Sequence, residues 1–432
     1  MKNKKILFIA IGIIIASIIG IISIILIFSN SDIKIQKVWN LSYGDEITPD
    51  MYEDEEMDFT EDDGDDSFVS IDKNNDGYVL VGTNGGAFED QGIIEYYDLN
   101  GKIKWTKKYP NIDSNNWEVT SQFENVLAVK DGFIVIGYED GDGPEFGEGY
   151  QNAIIIKYDL NGNLIWSKKY NTLLSTSNLN NNLSYTLVDI ISLNEKYYVV
   201  GNLVEYLITQ DGEQIAFNSD KRYGFIIELD LNGNEISFNK YREGSDFFSA
   251  ELVDNNIIIN SLLGYEHINT DEYSYGSAEG LGLIKFDGNN FNQIVKYASN
   301  DGMFGTVQDS YHEFVYLDGI YYLVDPTTVG KILAIDKDGN EKFSMWADEG
   351  DILDNYWLQD ITTDGENLYV YAYYYNMSES SEMTDSVIIV FDKEGNYKMV
   401  DIDEQYYYQI MYKDNSLLLP GSENSFAKYI IK

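Results

Sequence analysis

The sequence predicts an all-β protein: a seven-bladed β-propeller closed by an N-terminal strand and preceded by one transmembrane α-helix. Three observations lead to this fold class. A Tyr-Asp-Leu-Asn-Gly turn repeats along the chain, strand–turn–strand segments recur between its copies, and residues 6–28 form an uninterrupted apolar run. Repetition of short β-units is typical of propellers, which close a ring of small sheets.

The apolar run follows Lys2, Lys4 and Lys5 and contains no charged residue from Ile6 to Phe28. At 1.5 Å per residue, a helix of this length spans the roughly 30 Å hydrocarbon core of a bilayer. It is longer than the apolar region of a signal peptide, and no A-x-A cleavage pattern follows it, so we expect an uncleaved anchor. The positive-inside rule then leaves residues 1–5 as a basic cytoplasmic tail, with the linker 29–33 and the propeller 34–432 outside the cytoplasm.

Three small residues lie on one side of the predicted anchor helix: Gly12, Ala16 and Gly20. A small-xxx-small stripe allows two transmembrane helices to approach closely, which favours dimerisation. The same spacing arises readily by composition in an isoleucine-rich helix. Both interpretations stay open.

The clearest internal repeat is the segment 97–105, which recurs at 158–166. The two copies share an aspartate, a glycine and a tryptophan at fixed spacing, namely Asp98, Gly101 and Trp105 in the first and Asp159, Gly162 and Trp166 in the second. Weaker copies of the turn follow at 230–233, 287–290, 336–339 and 392–395. Asn-Gly and Asp-Gly pairs favour tight hairpins, so these are six turns between the third and fourth strands, C and D, of a blade. We expect the tryptophans to pack within the blades rather than to stack on sugars.

A second set of turns predicts the hairpins between the first two strands, A and B, of each blade. The clearest are Asp76-Gly77 and Asp131-Gly132, and five more lie near Asn194, Asp254, Asp318, Asp364 and Asp414. Seven A–B hairpins with six C–D turns imply that the last blade lacks a fourth strand of its own. Residues 34–43 fit that role, because Trp39 and Tyr43 keep the spacing of Trp105 and Tyr109. Closure of the ring in this way removes exposed strand edges.

The D-x-x-G-x-x-x-W pattern, together with the Asp-Gly hairpins, resembles bacterial extracytoplasmic propellers of the quinoprotein-like class, which carry repeats of the pyrroloquinoline-quinone type. The resemblance spans about residues 34–432 and implies the fold. The class includes dehydrogenases that use pyrroloquinoline quinone and non-enzymatic assembly scaffolds. This chain departs from the dehydrogenases because it lacks cysteine and has only two arginines, Arg222 and Arg242. No catalytic or cofactor-binding residue carries over.

The net charge of −44 excludes a nucleic-acid binder, because such a protein neutralises phosphates with clustered lysine and arginine. A strongly acidic surface suits cationic partners or divalent ions, and it also serves solubility alone.

The long insertions fall on one predicted face of the ring. The A–B and C–D turns share a tight-turn face, and the B–C and D–A connections share a long-loop face. The long connections are 44–66, 138–150, 171–184, 202–222, 261–279, 298–312 and 375–385. Loop variation on a rigid scaffold commonly carries binding specificity. Because strand D starts on the tight-turn face, the anchor attaches there and the long-loop face is expected to point away from the membrane.

Two of these connections are rich in acids. The loop 44–66 contains thirteen of them, and the loop 138–150 offers Asp140, Asp142 and Glu145 among glycines. Oxygen ligands on a pliable backbone are what Ca²⁺ requires, so these three residues are candidate calcium ligands. A solvated charged loop explains the same pattern.

Two functional classes follow. The leading interpretation is a non-enzymatic binding module at the cell surface that recognises a protein, a glycan or a cationic polymer through its acidic long-loop face. The alternative is a carboxylate-dependent glycoside hydrolase or lyase, which needs a raised-pKa acid and a second carboxylate. With 73 acidic residues, the sequence does not single out a pair. A central pocket with converging carboxylates would favour an enzyme.

Overall fold

A computed structural model describes most of the predicted propeller. The described ranges are 34–42, 66–84, 91–109, 119–142, 149–171, 182–211, 214–269, 274–277, 280–297, 313–325, 331–345, 356–375, 383–393, 395–402, 405–422 and 425–431. Within them no helix is long and apolar enough to cross a membrane. The predicted anchor 6–28, with its stripe Gly12, Ala16 and Gly20, and the acidic loop up to residue 65 lie outside the described residues.

Seven four-stranded antiparallel sheets form the blades, and in six of them the strands pair in chain order. The first strand, β1 (Ile35–Ser42), belongs to the last blade. Blade 1 consists of β2 (Asp66–Asn74), β3 (Gly77–Asn84), β4 (Gln91–Asp98) and β5 (Ile103–Tyr109). Blade 2 consists of β6 (Val119–Val129), β7 (Gly132–Asp142), β8 (Gly149–Asp159) and β9 (Leu164–Asn171). Blade 3 consists of β10 (Asn182–Leu193), β11 (Lys196–Asp211), β12 (Gln214–Leu229) and β13 (Glu235–Glu243).

The remaining blades follow the same order. Blade 4 contains β14 (Ser245–Val253) and β15 (Asn256–Leu263), then a separate hairpin of β16 (Glu266–Asn269) and β17 (Ser274–Ser277), then β18 (Gly280–Phe286) and β19 (Phe291–Tyr297). Blade 5 consists of β20 (Phe314–Leu317), β21 (Ile320–Asp325), β22 (Lys331–Asp336) and β23 (Glu341–Met345). Blade 6 consists of β24 (Tyr356–Thr363), β25 (Leu368–Tyr375), β26 (Met383–Phe391) and β27 (Tyr397–Asp401). Blade 7 contains β28 (Met411–Lys413), β29 (Ser416–Pro420) and β30 (Ser425–Ile431).

The N-terminal strand closes the ring, as predicted. β1 pairs antiparallel with β30 from Ile35 opposite Ile431 to Ser42 opposite Ser425, and so becomes the fourth strand of blade 7. Trp39 lies on this strand opposite Lys428. The propeller is therefore seven-bladed, with its two ends joined in a single sheet.

The hydrophobic core lies between neighbouring blades. Seven clusters of buried side chains occur among the described residues, and each combines two adjacent sheets. Between blades 1 and 2, for example, Val79 and Ile94 pack with Phe133 and Ile154. Sheets packed face to face with interdigitating apolar side chains remove both inner faces from water, which is the main stabilising term of the ring.

The aspartates of the C–D turns hold their loops in one conformation. In blade 1, the Asp98 carboxylate accepts the backbone N–H groups of Asn100 and Lys102 at 2.8 and 2.9 Å, and Gly101 adopts a φ of 82°. Hydrogen bonds donated to these carboxylates keep the pKa of each below its usual value. The turn aspartates with this property are Asp98, Asp159, Asp230, Asp287 and Asp336.

The repeat tryptophans connect each blade to the next. A Cβ atom added to Gly162 would lie 2.9 Å from the ring of Trp105, and one added to Gly233 would lie 2.6 Å from the ring of Trp166. The turn glycine is thus required both by its positive φ and by the tryptophan packed on it. The indole N–H of Trp105 donates to the Leu160 carbonyl at 3.0 Å, whereas that of Trp166 is buried without a hydrogen-bond partner.

Several connections expected as loops are extended hairpins instead. β7 and β8 remain paired as far as Asp142 opposite Gly149, and β11 and β12 as far as Asp211 opposite Gln214. The antiparallel ladder continues past the body of the blade because each added pair satisfies the backbone groups of both strands. The long-loop face therefore carries protruding β-hairpins at blades 2 and 3, and the hairpin β16–β17 at blade 4.

Candidate binding channel

The A strands of the seven blades surround a central channel, and five of them contain a β-bulge at the same place. The bulged residues are Val69, Glu124, Val188, Phe248 and Gln359. A bulge re-aims the side chains that follow it. In each of these five blades the residue that follows the bulge is polar. In blades 5 and 7 the residue at the same register of the A strand is polar as well. We call this set the waist ring: Ser70, Asn125, Asp189, Ser249, Glu313, Asp360 and Gln409.

Hydrogen bonds run around the waist ring from blade to blade. Ser70 donates to the Asn125 side-chain oxygen at 3.2 Å, and the Asn125 amide donates to the Asp189 carboxylate at 3.1 Å. Asp189 also accepts the backbone N–H of Ala250, in blade 4, at 3.1 Å. These bonds fix the rotation of blades 1 to 4 about the channel.

The same arrangement joins the last blades to the first. Asp360, which is only 6% exposed, accepts the N–H of Ile361 at 2.6 Å and that of Ile410, in blade 7, at 2.7 Å. The Gln409 side-chain oxygen accepts the N–H of Ile71, in blade 1, at 3.0 Å. Burial nevertheless raises the pKa values of Asp189 and Asp360 to about 7. Desolvation of the charged form outweighs the hydrogen bonds that favour it.

Two further carboxylates lie nearer the tight-turn face, two residues beyond the waist ring on their strands. Asp72 accepts the N–H of Ala128 at 2.7 Å, and Glu251 accepts that of Tyr316 at 2.9 Å, each from the following blade. Burial raises both pKa values, that of Glu251 to about 8. The ammonium group of Lys413, 3.6 Å from the Asp72 carboxylate, partly offsets the effect at Asp72.

Glu313 differs from the other channel acids. Its backbone carbonyl continues the ladder by accepting the N–H of Val324, but its carboxyl group forms no hydrogen bond or ion pair within the described part of the chain. Burial raises its pKa well above the usual value, and the nearby carboxylates of Asp360, Asp189 and Glu251 raise it further. Glu313 is thus a channel carboxyl that the blade-to-blade bonds do not use.

The waist ring separates two cavities. The upper cavity, toward the long-loop face, has a volume of about 490 Å³. Three acids line it, Glu124, Glu313 and Asp360, together with four aromatic rings: Tyr138, Tyr185, Phe248 and Tyr408. No lysine, arginine or histidine occurs among the described residues of its wall. Burial raises the pKa of Glu124 to about 7, although the hydrogen bond between Glu124 and Gln122 acts to lower it.

The lower cavity, toward the tight-turn face, has a volume of about 300 Å³ and is lined by Asp72, Asp189 and Thr362 among others. It shares Asn125, Glu313, Asp360 and Gln409 of the waist ring with the upper cavity. The channel is therefore acidic and polar along both halves.

Of the sequence-predicted calcium ligands, Asp140 and Asp142 lie on β7, and Glu145 is outside the described residues. Asp140 is not among the residues that line either cavity. No group of three histidine, cysteine or acidic side chains that could hold a metal ion occurs in the described ranges.

The channel acids lie on A strands, whereas the residues predicted from the sequence as ligands lie in or beside loops. A signal for them was present. Polar residues interrupt apolar A strands two positions after a large apolar residue, as in Phe123-Glu-Asn125 and Leu358-Gln-Asp360. A polar side chain at an otherwise apolar position of a central strand indicates a functional or structural constraint.

Comparison with known proteins adds no assignment. No family model and no curated protein matches the chain. Among solved structures, BamB from Moraxella catarrhalis is 12% identical with a TM-score of 0.41, and covers 92% of this chain and 98% of its own. Virginiamycin B lyase from Staphylococcus aureus is 12% identical with a TM-score of 0.47, covering 93% and 100%. The polysaccharide lyase Uly1 is 10% identical with a TM-score of 0.47, covering 84% and 89%.

These similarities carry no argument about what the protein binds or does. The resemblance to quinoprotein-like propellers holds at the level of the fold, which the seven blades establish by themselves.

Proposed function

We propose that the protein is a membrane-anchored, extracytoplasmic binding module whose upper cavity receives a cationic group of its partner. One observation carries this proposal: three carboxyl groups and four aromatic rings line the cavity, with no cationic side chain among its described wall residues. Carboxylates attract a cation directly, and aromatic faces attract it through their quadrupoles.

The raised pKa values give the cavity a further preference for cations. Glu124 and Asp360 have pKa values of about 7, so near neutral pH each is ionised in only part of the molecules. A bound cation favours the ionised forms, because it replaces the hydration that burial has removed. Binding should therefore release protons and strengthen as the pH rises through 7.

The partner that fits best is a cationic polymer, such as a polyamine or a lysine-rich chain. A cavity of about 490 Å³ accommodates an alkylammonium group with room to spare, and the acidic segments predicted on the long-loop face would offer charge to the groups that follow it. An anchor at residues 6–28, with residues 29–432 outside the cytoplasm, would present this face to extracellular polymers.

The test is calorimetric titration of the full chain, in detergent micelles, with spermine. Glu124→Gln keeps the side-chain volume but removes one charge, and we expect about a tenfold weaker affinity, which corresponds to about 1.4 kcal/mol. The matched control is Glu341→Gln, an exposed acid in blade 5 near the tight-turn face, which should leave the affinity unchanged. Equal effects of the two substitutions, or an affinity that does not rise between pH 6 and pH 8, would refute the proposal.

A second candidate is a carboxylate-dependent glycoside hydrolase or lyase, because the central cavity has the converging carboxyl groups expected of an enzyme. The observation that favours it is the presence of two carboxyl groups with pKa values of about 7, Glu124 and Asp360, in a cavity that also contains tyrosines. A general acid requires such a raised pKa. Asp360 is held by two backbone N–H groups, which leaves Glu124 as the acid. Incubation with a polysaccharide panel tests this candidate, since new reducing ends or unsaturated products that Glu124→Gln abolishes would favour the enzyme.

A further inference from the structure

One sector of the tight-turn face exposes large apolar side chains. Leu164 is 59% exposed, Ile165 48% and Ile236 51%, and Leu99 and Leu231 are also exposed. They occupy C–D turns or the first residues of D strands in blades 1, 2 and 3. We call these five residues, with the lysines described below, the basic-apolar sector.

The residues at these register positions vary from blade to blade: blade 3 has Glu235 opposite Leu229, and blade 6 has Tyr397 opposite Phe391. Leu164 lies opposite Tyr158 in blade 2, and the corresponding residue opposite Ile335 in blade 5 is Glu341. The residue after Glu341 is Lys342, where blade 2 has Ile165. The turn itself requires no apolar residue at these positions, so their exposure in blades 1 to 3 needs another explanation.

Lysines accompany these apolar residues. Lys102, Lys104 and Lys107, in the C–D turn and D strand of blade 1, are exposed, and so is Lys37 on β1. These four lysines lie on or beside the outer strands of the neighbouring blades 7 and 1, and two exposed acids, Asp76 and Asp131, lie in the A–B turns of the same face. Apolar side chains mixed with lysine are typical of surfaces that rest in the headgroup region of a bilayer.

The chain enters the ring beside this sector. β1 starts at Ile35 on the tight-turn face, and its blade, blade 7, is the neighbour of blade 1. The predicted anchor ends at residue 28, so residues 29–34 are all that separate it from β1. Six residues span at most about 21 Å when fully extended. The anchor therefore holds blades 7 and 1 close to the bilayer.

We propose that the basic-apolar sector docks on the lipid bilayer that holds the anchor. Leucine and isoleucine side chains enter the interface, and the lysines contact lipid phosphates, so that the propeller stands on blades 7 to 3 with its channel held at a fixed tilt. This inference rests on the proposed anchor but is independent of any cationic ligand in the upper cavity.

The absence of cysteine from the sequence makes a site-specific test straightforward. Leu164→Cys, and Glu341→Cys as its matched control in blade 5, each accept one environment-sensitive fluorophore. The full chain is reconstituted into vesicles of phosphatidylcholine and phosphatidylglycerol that contain doxyl-labelled lipid as a quencher. We expect at least threefold stronger quenching at position 164 than at position 341.

A second variant separates docking from anchoring. Ile165→Glu combined with Ile236→Glu should abolish the quenching at position 164 while the chain remains in the vesicle fraction. If the chain floats with the vesicles but the quenching is equal at positions 164 and 341, or absent at both, the docking alone is overturned. A chain that does not float with the vesicles overturns the anchor and the docking together.

Discussion

Trp105 and Trp166 occupy the same place in neighbouring blades, but they differ in one hydrogen bond. Each ring packs on the turn glycine of the next blade, and both side chains are partly buried. The Trp105 indole donates to the Leu160 carbonyl at 3.0 Å, while the Trp166 indole N–H has no partner. Substitution of each by phenylalanine removes the N–H group and keeps an aromatic ring against the glycine. The pair therefore isolates the contribution of the hydrogen bond.

The expected magnitudes follow from the two environments. Trp105→Phe loses a hydrogen bond with a net value of about 1 kcal/mol, whereas Trp166→Phe removes an unsatisfied buried donor that costs at least about 1 kcal/mol. The contraction of the ring is common to both and cancels in the comparison. Trp166→Phe should thus be more stable than Trp105→Phe by about 2 kcal/mol, or roughly 2 °C in melting temperature for a chain of 432 residues.

The assay is thermal unfolding of the full chain in detergent, followed by far-ultraviolet circular dichroism at one protein concentration. The reference is the unsubstituted chain, and each variant must give a folded baseline that overlays it. Equal melting temperatures of the two variants would refute the reasoning, and so would a lower value for Trp166→Phe. Either result would mean that the indole N–H groups do not distinguish these blade contacts.

Two further predictions concern stability. Gly233→Ala should destabilise the propeller more than Gly319→Ala. Both glycines have a positive φ, but only at Gly233 does the added Cβ meet the Trp166 ring, at 2.6 Å. Urea unfolding midpoints of the two variants measure the difference. Stability should also pass through a maximum near pH 4. The turn aspartates have lowered pKa values, so their contribution to stability is lost as the pH falls below about 4 toward those values. The channel acids have raised pKa values, so their contribution is lost as the pH rises from about 4 to about 7. Unfolding midpoints from pH 3 to pH 9 test this, and a monotonic curve would contradict it.

The fold could be predicted from the sequence because its repeat is local. The spacing from Asp98 to Trp105 and from Asp159 to Trp166 reports one turn and the strand that follows it, whatever the rest of the chain does. Counting A–B hairpins against C–D turns then predicted the closure, and β1 pairs with β30 as that count required.

The channel could not be predicted in the same way. The waist ring is defined by register across seven blades, and its members are of five different residue types, from Ser70 to Gln409, so no motif marks it. Its position depends on bulges such as that at Val188, which shift the alternation of the strand by one residue. The raised pKa values arise only when the blades enclose these carboxyl groups together.

The closing strand also determines how the propeller carries mechanical load. A partner that pulls on the long-loop face is resisted by the proposed anchor, and the force enters the ring along the axis of β1. Because β1 lies antiparallel to β30 from Ile35 to Ser42, such a force acts parallel to the strand and loads its hydrogen bonds together in shear, instead of opening them one at a time. The strand that closes the ring is thus also placed to bear tension between the proposed partner and the proposed membrane anchor.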